Sequence, residues 1–430
     1  MWDVLPLRRL VDPKRPITYG IVQAGEDVPG GVPYIRPVDM TETDGVADPA
    51  QLRKTSLEIA RAYKRSRVTP GDLVVSIGPS YGKIMTVPAE LDGANLTQGT
   101  ARVAPGRSMC GRFLFWALQS KLARSFWDAS VGGATFRSLN LEPLSRTACP
   151  APDLEEQRRI ADFLDAETSR LDQTRVARSK QIDLLNERHL AAVSELVTPG
   201  ISTDCRRSTD WPWLPAAQEF VRLGHIARVQ TGVMVNASRK VSESDVVRPY
   251  LRVANVQDGR IDLTQVKSIR VERSAARLST LQFGDVVITE ANGNPDNLGR
   301  GAVWRNEIPE MIHQNHIFAI RPDPKLLSSD YLAAVLASVH GRRYFRFTSN
   351  QVGIATTSSA KVMSLPVPAL ALEAQLKVVN QAGQLTESQS YLASALDRQL
   401  LLLSERRQAL ITAAVTGQLD VTTASSGVRV

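Results

Sequence analysis

The chain is written twice, and no other property constrains its fold so strongly. Val22-Gln23-Ala24-Gly25 recurs as Val229-Gln230-Thr231-Gly232, and Pro33-Tyr34-Ile35-Arg36 as Pro249-Tyr250-Leu251-Arg252. Gly71-Asp72-Leu73-Val74 then matches Gly284-Asp285-Val286-Val287, Gln98 and Val103 match Gln314 and Ala319, and Gly132-Gly133-Ala134-Thr135 matches Gly353-Ile354-Ala355-Thr356. A Pro-x-Pro closes each half, at Pro150-Ala151-Pro152 and Pro366-Val367-Pro368. Self-similarity on this scale means one structural unit folded twice, so any fold assigned to the first half must also suit the second.

Beyond each Pro-x-Pro the pattern changes to a long stretch with little Pro or Gly. Steps of three and four from Ile160 pass through Leu164, Leu171, Ile182, Leu185 and Leu196, and the same steps from Val378 pass through Leu385, Leu392, Leu403 and Leu410. An apolar stripe at this period marks an amphipathic helix, and its persistence over many turns marks a coiled-coil seam. Each helix would run about 40 residues, roughly 60 Å. Asp153, Glu155 and Glu156 open the first, where negative charge meets the positive end of the helix dipole; Pro199-Gly200 stops it, and Gly417 stops the second. Matched length and phase predict that the two helices pair antiparallel, the alternative being that each packs on its own domain. On that pairing Leu185→Asp or Leu403→Asp buries a lone carboxylate, at a cost on the order of several kcal/mol.

The remaining sequence carries short β-rich runs such as Asp72 to Ile77 and Asp285 to Thr289, with helical patterns at Gly111 to Phe126 (Leu114, Leu118, Leu122) and at Ser328 to Gly341 (Leu332, Val335, Leu336). The predicted fold class is α+β: two repeated α/β domains separated by a long antiparallel two-helix coiled coil. The expected boundaries are residues 1–150 for the first domain, 151–200 for the first spacer helix, 201–368 for the second domain, 369–421 for the second spacer helix and 422–430 for a flexible tail.

Composition narrows the function. With 430 residues the chain has room for several domains. A mean hydropathy of -0.15 and the lack of any run near 18 apolar residues speak against a membrane span. No secretory leader is visible at Met1-Trp2-Asp3-Val4, and Cys110, Cys149 and Cys205 form no CxxC pair, so a cytoplasmic protein without zinc or a disulfide framework is expected. A net charge of +8 favours a polyanionic partner. Catalytic and cofactor signatures are wanting. Gly78 to Ile84 is too short for a phosphate loop and lacks its hydroxyl, Asn294-Pro295-Asp296-Asn297 lacks the aromatic of an amino-methyltransferase motif, and His313 with His316 has no third ligand nearby. No catalytic, cofactor-binding or metal residue is therefore assigned.

The duplicated plan, with Leu154-Glu155-Glu156-Gln157-Arg158-Arg159-Ile160-Ala161-Asp162-Phe163-Leu164-Asp165 in the first helix and the run from Arg406 to Leu419 in the second, resembles the specificity subunits of type I restriction-modification systems. The resemblance extends to about Val421. One departure is that the second helix opens Leu372-Glu373-Ala374-Gln375-Leu376-Lys377-Val378 without the Glu-Gln-Arg-Arg-Ile core of the first. The resemblance implies two target-recognition domains reading a split site on double-stranded DNA, with helices that also dock methyltransferase subunits. It further implies translocase-nuclease subunits as partners, with S-adenosylmethionine, ATP and Mg²⁺ held by the partners rather than by this chain. A stiff spacer would fix both the distance and the phase between two readers, near one helical turn or ~34 Å. A stand-alone DNA-modifying enzyme and a coiled-coil interaction protein that binds no nucleic acid are the alternatives.

Phosphates call for Lys and Arg, and base edges for Arg, Asn and Gln. In the first domain the candidates are the basic cluster Lys64, Arg65 and Arg67, with Tyr81 and Lys83 in a Gly-bounded turn after a strand. In the second they are Asn292, Asn294, Asn297 and Arg300 in the equivalent turn, then Tyr344, Arg346 and Asn350, with Phe345 and Phe347 expected to turn inward. Charge runs also serve as solvated faces, and turn asparagines also serve their own backbone.

Overall fold

The computed structural model describes residues 2–131, 138–235, 242–350 and 354–424. The expected match of Gly132-Gly133-Ala134-Thr135 with Gly353, and residues 425–430 of the expected tail, lie outside the described residues. The chain gathers into two compact units, one of residues 1–179 with 397–430 and the other of residues 180–396.

In unit 1 the strands β1 (Thr18–Tyr19), β2 (Val32–Ile35), β3 (Lys54–Thr55), β4 (Leu73–Ser76), β5 (Ile84–Thr86), β6 (Asn95–Leu96) and β7 (Thr100–Val103) form two sheets. One is antiparallel with order β1-β7-β4-β5; the other has order β3-β2-β6 with β2 and β6 parallel. Unit 2 repeats this plan. Its strands β8 (Ala227–Thr231), β9 (Asp245–Leu251), β10 (Lys267–Glu272), β11 (Val286–Thr289), β12 (Gly301–Val303), β13 (Ile312–His313) and β14 (Ile317–Pro322) give sheets β8-β14-β11-β12 and β10-β9-β13, the latter with β9 and β13 parallel. The central strand of each antiparallel sheet is buried on both faces, which is why its sequence is a continuous apolar run. Leu73 and Val75 meet one core and Val74 another, as Val286 and Ile288 meet one and Val287 another.

Strand pairing corrects two of the sequence matches. Tyr19 pairs with Ala101 and Thr231 with Phe318, and Gly20 and Gly232 each press against a neighbouring backbone, where a Cβ would lie 1.9 Å from the Leu96 carbonyl oxygen or 2.1 Å from that of His313. Gly232 therefore corresponds to Gly20, not Gly25. Leu73 faces Val103 and Val286 faces Ile320, so Val103 corresponds to Ile320, and Gln98 to Asn315, one residue beyond the expected match. Both Gln98 and Asn315 donate their amide N–H back to the bridging strand, at Ile21 and Val233. Short identities fall out of step across loops of different length; register is set instead by which side chains face the core.

Each predicted domain helix is two helices. Unit 1 has α1 (Gly111–Gln119) and α2 (Lys121–Val131), followed by the long α3 (Leu154–Val197). Unit 2 has α4 (Ser329–Ala337) and α5 (Val339–Thr348), followed by the long α6 (Leu372–Val415). The breaks fall at Ser120 and Ser338, both extended; each hydroxyl donates to the carbonyl three residues back and accepts from the N–H three residues on. Leu114 and Leu118 are core residues, but Leu122, beyond the break, is exposed.

Helices α3 and α6 each contribute one half to each unit. In unit 1 the start of α3 (Ile160, Ala161, Leu164) shares a core with the end of α6 (Ile411, Ala414, Val415). In unit 2 Asn186 accepts from Gln389 Nε2 at 2.7 Å and His189 meets Thr386 at 3.5 Å, so the pairing is antiparallel. The seam is not apolar throughout. Leu185 and Leu403 are half-buried and Leu385 and Leu392 are exposed, because two helices alone cover only one narrow stripe of each other. Asp153 Oδ1 caps α3 by accepting the Glu156 N–H, and α6 ends at Gly417 with φ +73°. A short helix, Val421–Ala424, occupies the start of the expected tail.

A buried glutamine fastens each long helix to its domain. Gln157 Oε1 accepts the Cys110 N–H at 2.7 Å, while its Nε2 donates to the Ser108 and Pro152 carbonyls. Gln375 Oε1 accepts the Ser328 N–H at 2.8 Å, while its Nε2 donates to the Leu326 and Leu370 carbonyls. The clamp is the same in both units although the sequence around Gln375 departs from that around Gln157.

Candidate nucleic-acid interface

The basic cluster of unit 1 forms a turn. Lys64–Ser66 is a single 3-10 turn beside the β1 edge, with Lys64 and Arg65 exposed and Arg67 half-buried. Arg102 on β7 reaches beneath it, and its Nη1 donates to the carbonyls of Arg65 and Arg67, both at 2.7 Å. Lys14 and Arg15, from the Pro-flanked run Asp12 to Pro16, join the same hollow. These two and Arg102 were missed in the sequence: Lys14 and Arg15 are a bare dipeptide, and Arg102 sits in a strand whose alternation gives no reason to pick it.

Tyr81 and Lys83 do not join that cluster. They leave the end of β4 toward β5, at the opposite edge of the four-stranded sheet from β1. Tyr81 donates its hydroxyl to Asp128 at 2.7 Å, and Lys83 Nζ donates to the Met40 carbonyl and pairs with Glu42, both at 3.0 Å. The turn is thus held by internal contacts, with the Arg124 guanidinium 2.5 Å from where a Cβ on Gly82 would lie.

The equivalent connection in unit 2, residues 290–300, is longer and carries most of the expected polar groups. Asn292 pairs with Ala355 and its Oδ1 accepts the Asn294 N–H at 3.0 Å; Asn350 exchanges two backbone hydrogen bonds with Thr356. Asn292, Asn294 and Asn350 are thereby brought to one place. Glu290 and His316, paired at 2.8 Å, stand beside them and were not foreseen as site residues. Asn297 closes a 3-10 turn and Arg346 lies on the exposed side of α5, which packs against that turn. Arg300 departs from the group: it pairs with Asp258 at 3.5 Å and lines a separate hollow of about 760 Å³ with Arg342, His189 and Asn186.

Tyr344 is a correction. It is 2% exposed, its hydroxyl donates to the Lys361 carbonyl at 2.6 Å, and its ring packs on Trp211. Burial pushes its phenol up to about 12. Phe345 is buried as expected, but Phe347 is 67% exposed. The stretch is helical, so the inward face takes adjacent residues 344 and 345 rather than alternate ones.

Among the described residues no three His, Cys, Asp or Glu side chains gather as a metal site. His313 is buried with Nδ1 on the Ser279 carbonyl, apart from the His316 pair. Burial pushes the Cys149 thiol up to about 12, which keeps it unreactive. No described helix is long and apolar enough to cross a membrane.

Residues 21–183 match a family model described as the type I restriction modification DNA specificity domain. The chain is 33% identical over 160 residues to the type I restriction enzyme EcoBI specificity subunit of Escherichia coli, an alignment spanning 37% of this chain and only 33% of that relative. It is 22% identical to the EcoKI specificity subunit of Escherichia coli K12, over 97% of this chain and 89% of the relative. A solved chain from work on complex assembly and conformational transition of the type I R-M system superposes with a TM-score of 0.71 at 20% identity, covering 97% of this chain and 98% of the other. At that identity the likeness is one of fold.

Proposed function

We propose that this chain is a type I restriction-modification specificity subunit, the family that its comparisons point to, and that it reads a bipartite double-stranded DNA target, one part with each repeated domain. The observation that carries this reading is that both units repeat one strand order and then emit unlike loops at the same place, residues 77–83 and residues 290–300. A common scaffold with two dissimilar loops suits a reader of two different half-sites. The chain supplies recognition and scaffolding rather than catalysis. Methyl transfer, translocation and cleavage fall to methyltransferase and translocase-nuclease subunits, which hold S-adenosylmethionine, ATP and Mg²⁺. The apolar side chains left exposed along the long helices, Leu184 and Leu392 in unit 2 and Leu401 and Leu402 in unit 1, offer those subunits contacts on each unit.

Methylome sequencing of cells that express the chain with its methyltransferase partner tests the proposal. A discontinuous methylated motif is expected, absent when the chain is deleted. A continuous motif, or methylation by the chain alone, would overturn it.

A further inference from the structure

The geometry points to a phosphate-binding hollow at the β1 edge of unit 1, where Lys14, Arg15, Lys64, Arg65 and Arg67 surround a buried Arg102 and hold a backbone phosphate of DNA. This rests on the DNA-reading function proposed above and deepens it by locating a contact that supplies affinity rather than sequence.

The hollow encloses about 660 Å³, and the described residues lining it include these six cations and no acid. Among described residues only Arg15 of the six forms an ion pair, with Asp72. Arg102 is 5% exposed; its two terminal nitrogens are spent on the carbonyls of Arg65, Arg67 and Pro16, and its Nε has no partner. Arg67 Nε is buried and unpartnered as well. Carbonyl oxygens satisfy donors without cancelling charge, so the site remains short of an anion. Burial, and next the charge of Arg15, hold the Arg102 guanidinium below the ordinary arginine value against the opposing charges of Asp72 and Asp12, and an incoming anion would favour its charged form and offset that penalty. A phosphodiester offers one charge and two open oxygens to flanking guanidinium and ammonium groups. The three carbonyl bonds from Arg102 also tie the 64–66 turn to Pro16, so the cations are assembled before any ligand arrives. The unlike loop of this unit, residues 77–83, emerges at the opposite edge of the sheet, away from this hollow.

The test is the full chain, with its methyltransferase partner, carrying Lys64→Ala, Arg65→Ala and Arg67→Gln together; Lys64 and Arg65 are exposed and Arg67 is half-buried, and an unchanged melting temperature checks the fold. Binding to a duplex with the methylated motif and to a scrambled duplex is followed by anisotropy across a salt series. Affinity is expected to fall roughly tenfold or more on both duplexes alike, with the slope of log K against log salt shallower by about 1–2, while the motif methylated in cells stays the same. Unchanged affinity and slope, with the parent still binding DNA, would overturn this assignment alone. Loss confined to the motif duplex, or an altered motif, would overturn it too, by making the cluster a reader of bases. A parent complex that binds no duplex at any salt would overturn the DNA-reading function itself and this site with it. Inorganic phosphate titrated at constant ionic strength separates the two sources of the anion: saturable binding that the triple variant lacks, with duplex affinity unmoved, assigns the hollow to a free ion and refutes the backbone contact.

Discussion

His340 has both ring nitrogens committed inside unit 2: Trp213 Nε1 donates to its Nδ1 at 3.1 Å, and its Nε2 faces the Pro366 carbonyl at 2.6 Å. Only a neutral imidazole carrying its proton on Nε2 satisfies both, and burial pushes the ring down to about 4 from 6.5. Between those values the unfolded chain binds more protons than the folded one. Stability fully present above pH 6.5 is therefore lost as the pH falls toward 4, by about 3 kcal/mol. The melting temperature of unit 2 is expected to fall across this window, and His340→Gln, which does not titrate, to flatten the fall; an unaltered profile would assign the acid sensitivity to other groups. Tyr344→Phe removes a buried hydroxyl bond and is expected to lower stability in urea by about 1–2 kcal/mol while leaving duplex affinity untouched. Tyr344 shows where residue-level reading of the sequence fails. Choosing alternate residues of an aromatic-basic run presumes a strand, and in a helix the same run buries neighbours. Asn292, Asn294 and Asn350 stand out in the sequence as amides suited either to base edges or to their own backbone, and Asn292 Oδ1 does serve the backbone by accepting the Asn294 N–H; their gathering depends on the Asn350–Thr356 bridge, which no spacing announces.

At the scale of the element, the long helices could be read to within a few residues because caps and stops mark them chemically, whereas the strand matches slipped because loop lengths differ between the repeats. The clamps made by Gln157 and Gln375 are also invisible in sequence, where a glutamine in a helical first turn resembles any polar residue. Gln157→Ala would leave the Cys110 N–H and the Ser108 and Pro152 carbonyls buried without partners, a cost of about 2–4 kcal/mol. Gln375→Ala is expected to cost the same, measured by chemical denaturation; a loss below about 0.5 kcal/mol would mean that water replaces the clamp. The half-burial of Leu185 and Leu403 revises the expected penalty for placing Asp there to about 1–2 kcal/mol. Circular dichroism should then show both helices intact instead of disordered.

For the whole molecule, the repeated scaffold makes the two halves of the target separable. Asn292→Ala with Asn350→Ala is expected to relax or change one half of the methylated motif and leave the other as it was, read out by methylome sequencing; simultaneous change in both halves would contradict one domain reading one part. The division of the chain also orders its assembly. Unit 2 is a continuous stretch, residues 180–396, but the core of unit 1 needs Ile411, Ala414 and Val415 from the last turns of α6. On the ribosome, then, the part encoded in the middle can close while the part encoded first still waits for its final wall. At about 5–20 residues per second its greasy interior stays open for about 10–50 s, so the opening segment of the nascent polypeptide is the one most in need of a chaperone.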